Sequence, residues 1–227
     1  MTAILITGAN KGLGYESARR LLAAGHTVYI GARDPGRGAA AAKELGARFV
    51  KLDVTDDSSV RQAIDGLDEL DVLINNAGIA GSRTAPGDVS ADDLRRVYET
   101  NVFGLVRVTH AALPLLRKSA APVIVNVASG LGSIGVVTDP DRLESHYPTL
   151  AYSSSKSAVV MLTVQYAKAF PDIRVNVVDP GYTATDLNGN QGTQTVTEGT
   201  DAIVRLAGIG PDGPTGGFFD RAGTVPW

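Results

Sequence analysis

The stretch Ala3-Ile4-Leu5-Ile6-Thr7-Gly8-Ala9-Asn10-Lys11-Gly12-Leu13-Gly14 decides the architecture of the chain. Its first five residues are an apolar run of the kind buried in a parallel sheet. A helical pattern follows through Ala18, Leu21 and Leu22 and stops at Ala24-Gly25. Between them Gly8 allows a sharp turn, Gly12 a close backbone approach, and Gly14 tight helix packing. The helix N-terminus presents free N–H groups and a positive dipole end to an anion. An ordinary strand-to-helix loop has the same glycines. Their place directly after an N-terminal strand favours a dinucleotide-binding βαβ unit.

The rest of the chain alternates in the same way, which predicts an α/β, Rossmann-like, doubly wound parallel sheet with helices on both faces. Strands are expected at Thr27–Gly31, Arg48–Leu52, Asp71–Ile74, Pro122–Val127 and Ile173–Val178, with a short last one at Gly217–Phe219. Helices are expected at Ala39–Leu45, after Asp56, from Ala91 past Leu113, over Ala151–Ala169 and over Asp201–Leu206. Residues 79–90, 130–149 and 182–197 read as loops.

With 227 residues, 44% of them hydrophobic and 20% charged, the chain suits one folded domain spanning 1–227. A net charge of −3 without a basic run argues against nucleic acid. Without cysteine there is neither disulfide nor thiolate metal site, and His26, His110 and His146 lack metal-ligand spacing, so no metal is expected. No apolar run is long enough to span a membrane, and no leader precedes the first strand; a cytoplasmic protein is the expectation.

Tyr152 and Lys156 stand at i and i+4 on a predicted helix and so share a face. A nearby ammonium favours the phenolate, which makes the tyrosine a usable acid and base toward a carbonyl or alcohol. Alone, such a pair commonly just decorates a helix. It does not stand alone. Thr7-Gly8 through Gly14, Asn75-Asn76-Ala77-Gly78, Asn101, Ser129 after strand five, Tyr152 with Lys156, and Pro180-Gly181 after strand six follow one another in order.

That order resembles the short-chain dehydrogenase/reductase family in its single-domain branch, over roughly residues 3–220. The resemblance implies a seven-stranded Rossmann-like sheet and hydride transfer between nicotinamide and a carbonyl or secondary alcohol. It implies Tyr152 as general acid/base and Lys156 as the residue that lowers its pKa and holds the nicotinamide ribose. Ser129 would hydrogen-bond the substrate oxygen, and Asn101 would prop open its helix and support a proton relay. Cofactor contacts are implied for Gly8, Asn10, Lys11, Gly12, Leu13, Gly14, Asp53, Val54, Asn76, Ala77, Gly78, Tyr152, Lys156, Pro180, Gly181, Thr183 and Thr185.

Where the family's NAD enzymes usually carry an acid, this chain has Ala32, followed by Arg33. Arg33 and Lys11 together suit a 2′-phosphate, so NADP(H) is expected over NAD(H), as in the NADPH-dependent carbonyl reductases the chain resembles. Asp34 leaves a second possibility, as partner of Arg33 or as the acid in a shifted register.

Ser129 and Tyr152 are separated by more residues than is usual, and the extra segment, about 135–148, is expected at the mouth of the site. His146 and Tyr147 are candidates there for substrate contact, and residues 79–87 and 182–195 for the remaining walls. The family favours dimers and tetramers, whereas an insertion at this point favours a monomer. Two other readings remain: a non-redox dehydratase or epimerase of the same fold, and a nucleotide sensor without turnover.

Overall fold

The computed structural model describes residues 2–82 and 84–227. Seven strands form one parallel sheet: β1 Ala3–Thr7, β2 Thr27–Ala32, β3 Arg48–Lys51, β4 Val72–Asn75, β5 Val123–Val127, β6 Arg174–Val178 and β7 Phe218–Phe219, in the order β3-β2-β1-β4-β5-β6-β7. Ile4 lies opposite Val28 on one side and Val72 on the other.

The helices are α1 Gly12–Ala23, α2 Pro35–Leu45, α3 Asp57–Asp65, α4 Ala91–Tyr98, α5 Gly104–Leu116, α6 Ile134–Val137, α7 Leu150–Ala169, α8 Val196–Gly199 and α9 Asp201–Ala207. Strand residues alternate between two cores. Ile4, Ile6, Ile30 and Ile74 pack with Leu21 of α1, Ala41 of α2 and Ile203 of α9. Leu5, Leu73 and Ile124 face the other way, toward Ile64 of α3 and Val108 of α5. Both faces are therefore covered, which explains why the strands read as unbroken apolar runs. A third cluster joins Val136, Val159 of α7, Val177 and Phe218.

Three boundaries differ from the sequence expectation. Helix α2 begins at Pro35 rather than Ala39, because the Asp34 side chain caps it by accepting from the Arg37 N–H and proline suits a first helical turn despite Gly36 and Gly38. The helix from Ala91 is interrupted by a π-turn, Glu99–Phe103. The 130–149 and 182–197 stretches contain short helical turns at Gly130–Gly132, α6, Leu143–His146, Asp186–Asn188 and α8. A bridge between Thr183 and Gln194 closes the second stretch on itself.

The chain runs outward from β1 to β3 on one side and from β4 to β7 on the other. The reversal opens a crevice between the C-terminal ends of β1 and β4, where ligands bind in open α/β sheets. The loops carrying Gly8, Arg33, Asn76, Ser129 and Asp179 all leave the sheet at that end.

Candidate active site

At the crevice the first glycine loop and the Asn75–Gly78 turn are tied together. Thr7 Oγ1 accepts from the backbone N–H groups of Asn76 (3.0 Å) and Ala77 (2.9 Å). The Asn76 side chain donates to the carbonyls of Thr7 (2.9 Å) and Gly8 (3.2 Å). Gly8 has φ +64°, and a Cβ on it would come within 3.0 Å of Ala77 Cα. A Cβ on Gly14 would lie 2.6 Å from Asn76 Nδ2 and 2.8 Å from Ala9 Cα. Two of the glycines thus serve contact between loops. Gly12, at φ +57°, has only the Thr185 side chain near its missing Cβ, at 3.7 Å. This open, side-chain-free helix start fits a pyrophosphate, with Asn10, Lys11 and Leu13 around it. The Leu13 side chain itself packs toward Gly199.

The two cations expected at a 2′-phosphate have different surroundings. Arg33 is exposed; against burial, Asp53 is held below its ordinary pKa first by its Thr55 hydrogen bonds and last by the charge of Arg33. Asp53 accepts from the Thr55 N–H and hydroxyl. Asp34 is committed to α2 and to Arg37, 3.1 Å away, and pairs with Arg37 rather than Arg33. Lys11, in contrast, is bound to Asp186 at 2.9 Å, which ties the glycine loop to the segment after β6. That pairing was not legible, since 175 residues separate the partners.

Asn101 sits in the π-turn and is buried. Its Oδ1 accepts from the Ile79 N–H (2.9 Å), and its Nδ2 donates to the Ile79 carbonyl (3.0 Å) and to Ser155 Oγ (3.0 Å). It clamps the strand-four loop to α7. Gly78 fills the space between Asn101 and Lys156: a Cβ there would be 3.3 Å from Asn101 Oδ1 and 3.6 Å from Lys156 Nζ. Val54 lies beside Gly104 and, with Ala77 and Asn101, lines a cavity of about 10 Å³. Asn75, whose Oδ1 has no donor among the described residues, lines it too. One water fits such a space.

Lys156 is buried, donates to the Val127 carbonyl (2.9 Å), and holds its Nζ 5.5 Å from the Tyr152 ring centroid. Burial lowers its pKa to about 8, against a smaller upward pull from Asp179. Burial first, and then the charge of Asp179, raise the Tyr152 pKa, against a smaller lowering by Ser129. The lysine is bonded to a backbone carbonyl, and the acid Asp179 opposes ionisation of the phenol. Ser129 itself also accepts from the Leu131 N–H (3.2 Å), so its hydroxyl caps the turn while facing Tyr152.

Beyond β6, Gly181 has φ +70° and its N–H donates to Asp179 Oδ1 (2.9 Å). Thr185 stands over Gly12. Thr183 is buried and its hydroxyl donates to the Pro180 carbonyl (2.9 Å), which holds the loop. His146 and Tyr147 are exposed and do not line the cavity that their neighbours Leu143 and Glu144 do. Of the 79–87 wall, Arg83 lies outside the described residues. The sequence reading missed Asp179, an acid that looks like part of a Pro-Gly turn, and Thr7, which looks like a strand end.

Among the described residues no group of acidic or histidine side chains could hold a metal ion, and no helix is long and apolar enough to cross a membrane. A short chain dehydrogenase family model matches residues 2–196. The (+)-neomenthol dehydrogenase of Capsicum annuum is 31% identical over 297 aligned positions, covering 96% of this chain and 95% of that protein. That alignment is longer than this chain, so the relative carries residues absent here. The carbonyl reductase Sniffer of D. melanogaster superposes with a TM-score of 0.87 at 26% identity over 100% of both chains. The 3-ketoacyl-(acyl-carrier-protein) reductase of Brucella melitensis, solved with NADH, superposes at 0.83 with 26% identity over 96% of each chain.

Proposed function

The chain belongs to the short-chain dehydrogenase family, and from that premise we propose that residues 1–227 act as one NADP(H)-dependent oxidoreductase domain interconverting a small carbonyl compound and its alcohol. The observation that carries this is the convergence of Ser129, Tyr152 and Lys156 beside a glycine cradle at one end of the sheet. A bound nicotinamide supplies or accepts the hydride. Ser129 donates a hydrogen bond to the substrate oxygen. Tyr152 gives that oxygen its phenolic proton in reduction and removes it in oxidation. Lys156, with a pKa of about 8, offsets the phenolate charge and carries a proton that it can release near neutral pH. Asn101 keeps Ile79 in place and the π-turn open, which supports a water path from the site.

The cradle would hold the pyrophosphate on Gly12, Leu13 and Gly14, with Thr185 over it. Asn76, Ala77 and Gly78 would flank the ribose, and Asp53 and Val54 the adenine. Arg33, exposed and not engaged by Asp34, supports a 2′-phosphate; Lys11 joins it only by leaving Asp186. The preference expected for NADPH over NADH is tenfold or more, about 1.4 kcal/mol.

The test is cofactor consumption with NADPH and with NADH over aldehydes, ketones and quinones, with Tyr152→Phe alongside. Turnover that disappears in the variant while cofactor still binds supports the assignment. Variant turnover near wild type refutes Tyr152 as the acid, and equal affinities for both cofactors refute the preference.

A further inference from the structure

We propose that the substrate carries a protonated amine, held by a carboxylate-lined cavity beside Ser129. This rests on the redox reading above and names the class of molecule it acts on.

A cavity of about 590 Å³ opens between the Asp141–Glu144 segment, the Asp179–Tyr182 turn, Thr193 and Gln194, and the residues after β7. Its size is that of a small-molecule site, typically about 300–1,000 Å³. Gly130, the neighbour of Ser129, lies against two of its wall residues. A Cβ on Gly130 would lie 2.8 Å from Asp179 Oδ2 and 3.0 Å from Glu144 Oε1. The charge of Asp179 also acts on both Tyr152 and Lys156.

The wall is rich in negative charge. Asp141, Glu144, Asp179 and Asp220 all line it, against Arg142 and Arg221. Arg221 is committed elsewhere, to Glu198 at 2.7 Å and Asp201 at 3.1 Å. Arg142 reaches Glu144 only at 3.5 Å. Backbone N–H groups orient Asp179 and Asp220, through Gly181, Ala222 and Gly223, without neutralising them. Burial first, and then Glu144 and Asp220, raise the Asp179 pKa, so these acids repel one another across the cavity. A ligand cation relieves that repulsion, and an anion adds to it.

The described acids form no cluster able to hold a metal ion, which favours an organic cation. Leu143, Pro180 and Tyr182 give it an apolar surface to rest on.

The experiment compares three ring ketones of one shape, N-methylpiperidone, methylcyclohexanone and oxocyclohexanecarboxylate, each with its carbonyl opposite the substituent and with NADPH in excess. The expected kcat/KM order is cation, neutral, anion, with at least tenfold between the first two. Glu144→Gln and, separately, Asp141→Asn lower the cation-to-neutral ratio at least threefold. Equal kcat/KM for all three, or an unchanged ratio in both variants, overturns the inference while the redox reading stands. Absence of turnover on every ketone counts against the redox reading. The cavity is then judged by calorimetric binding of hydroxy-N-methylpiperidine to the NADP⁺-loaded protein. Binding weakened by Glu144→Gln supports the inference, and no binding at millimolar amine overturns it.

Discussion

Replacing Asn101 by alanine removes three hydrogen bonds of 2.9 to 3.0 Å and leaves both backbone groups of Ile79 without a side-chain partner. A stranded buried polar group costs about 1–3 kcal/mol. Ile79 is only partly buried, so water recovers some of that cost, and Ser155 keeps its bond to the Tyr152 carbonyl (2.7 Å). The expected loss is therefore about 2–3 kcal/mol rather than the full sum for two groups. For a chain of this size that is a fall in Tm of roughly 4–12 °C. The assay is urea and thermal denaturation by circular dichroism, followed by kcat and KM with NADPH at a temperature where both proteins are folded. Asn101→Asp is the companion. It keeps the acceptor toward the Ile79 N–H but places a carboxylate against the Ile79 carbonyl, so it should be no more stable than the alanine variant. A destabilisation below about 0.5 kcal/mol in Asn101→Ala, within the range of an ordinary surface substitution, would refute the clamp.

Other consequences are equally direct. Gly14→Ala forces a methyl to 2.6 Å from Asn76 and should cost about 1–3 kcal/mol and weaken cofactor binding, read by denaturation and calorimetry. Gly36→Ala, in the exposed first turn of α2 with its nearest contact at 3.4 Å, should instead be neutral or stabilising by up to about 1 kcal/mol. Arg33→Ala should weaken NADPH at least fivefold and leave NADH unchanged; Lys11→Ala should have the smaller effect, because Asp186 already engages it. Lys156 has a folded pKa of about 8 against an ordinary value of 10.5. Between those values the unfolded chain holds more protons than the folded one, so this group's contribution to stability rises with pH. Wild type minus Lys156→Met, followed by urea denaturation from pH 7 to 10, should climb with a slope approaching about 1.4 kcal/mol per pH unit; a flat or falling difference contradicts the buried ammonium.

The parts of the site that could be read directly are those where residue type alone meets the physical need. Gly8 and Gly12 have positive φ, and a side chain at Gly14 would collide with Asn76 and Ala9. Tyr152 and Lys156 share a face by helical periodicity and are found together. What could not be read depends on burial and on distant partners. Asp179 is an unremarkable acid before a Pro-Gly turn until the fold places it among Tyr152, Lys156 and Gly130. The C-terminus gives no signal of its own, yet the Pro226 and Trp227 carbonyls accept from Ser133 and Gly135 and anchor the loop after β5.

The sequence by itself determined the parallel sheet, the cradle at its first turn and the order of the reactive residues. Apolar runs, glycine conformations and helical spacing are local properties of the chain. Only the tertiary structure decided the electrostatics: that Lys11 faces Asp186, that Asp34 belongs to α2, and that Asp179 sits where its charge opposes ionisation of the Tyr152 phenol. Charge interactions depend on separation and on how far water is excluded, and both are set by packing between segments far apart in the chain.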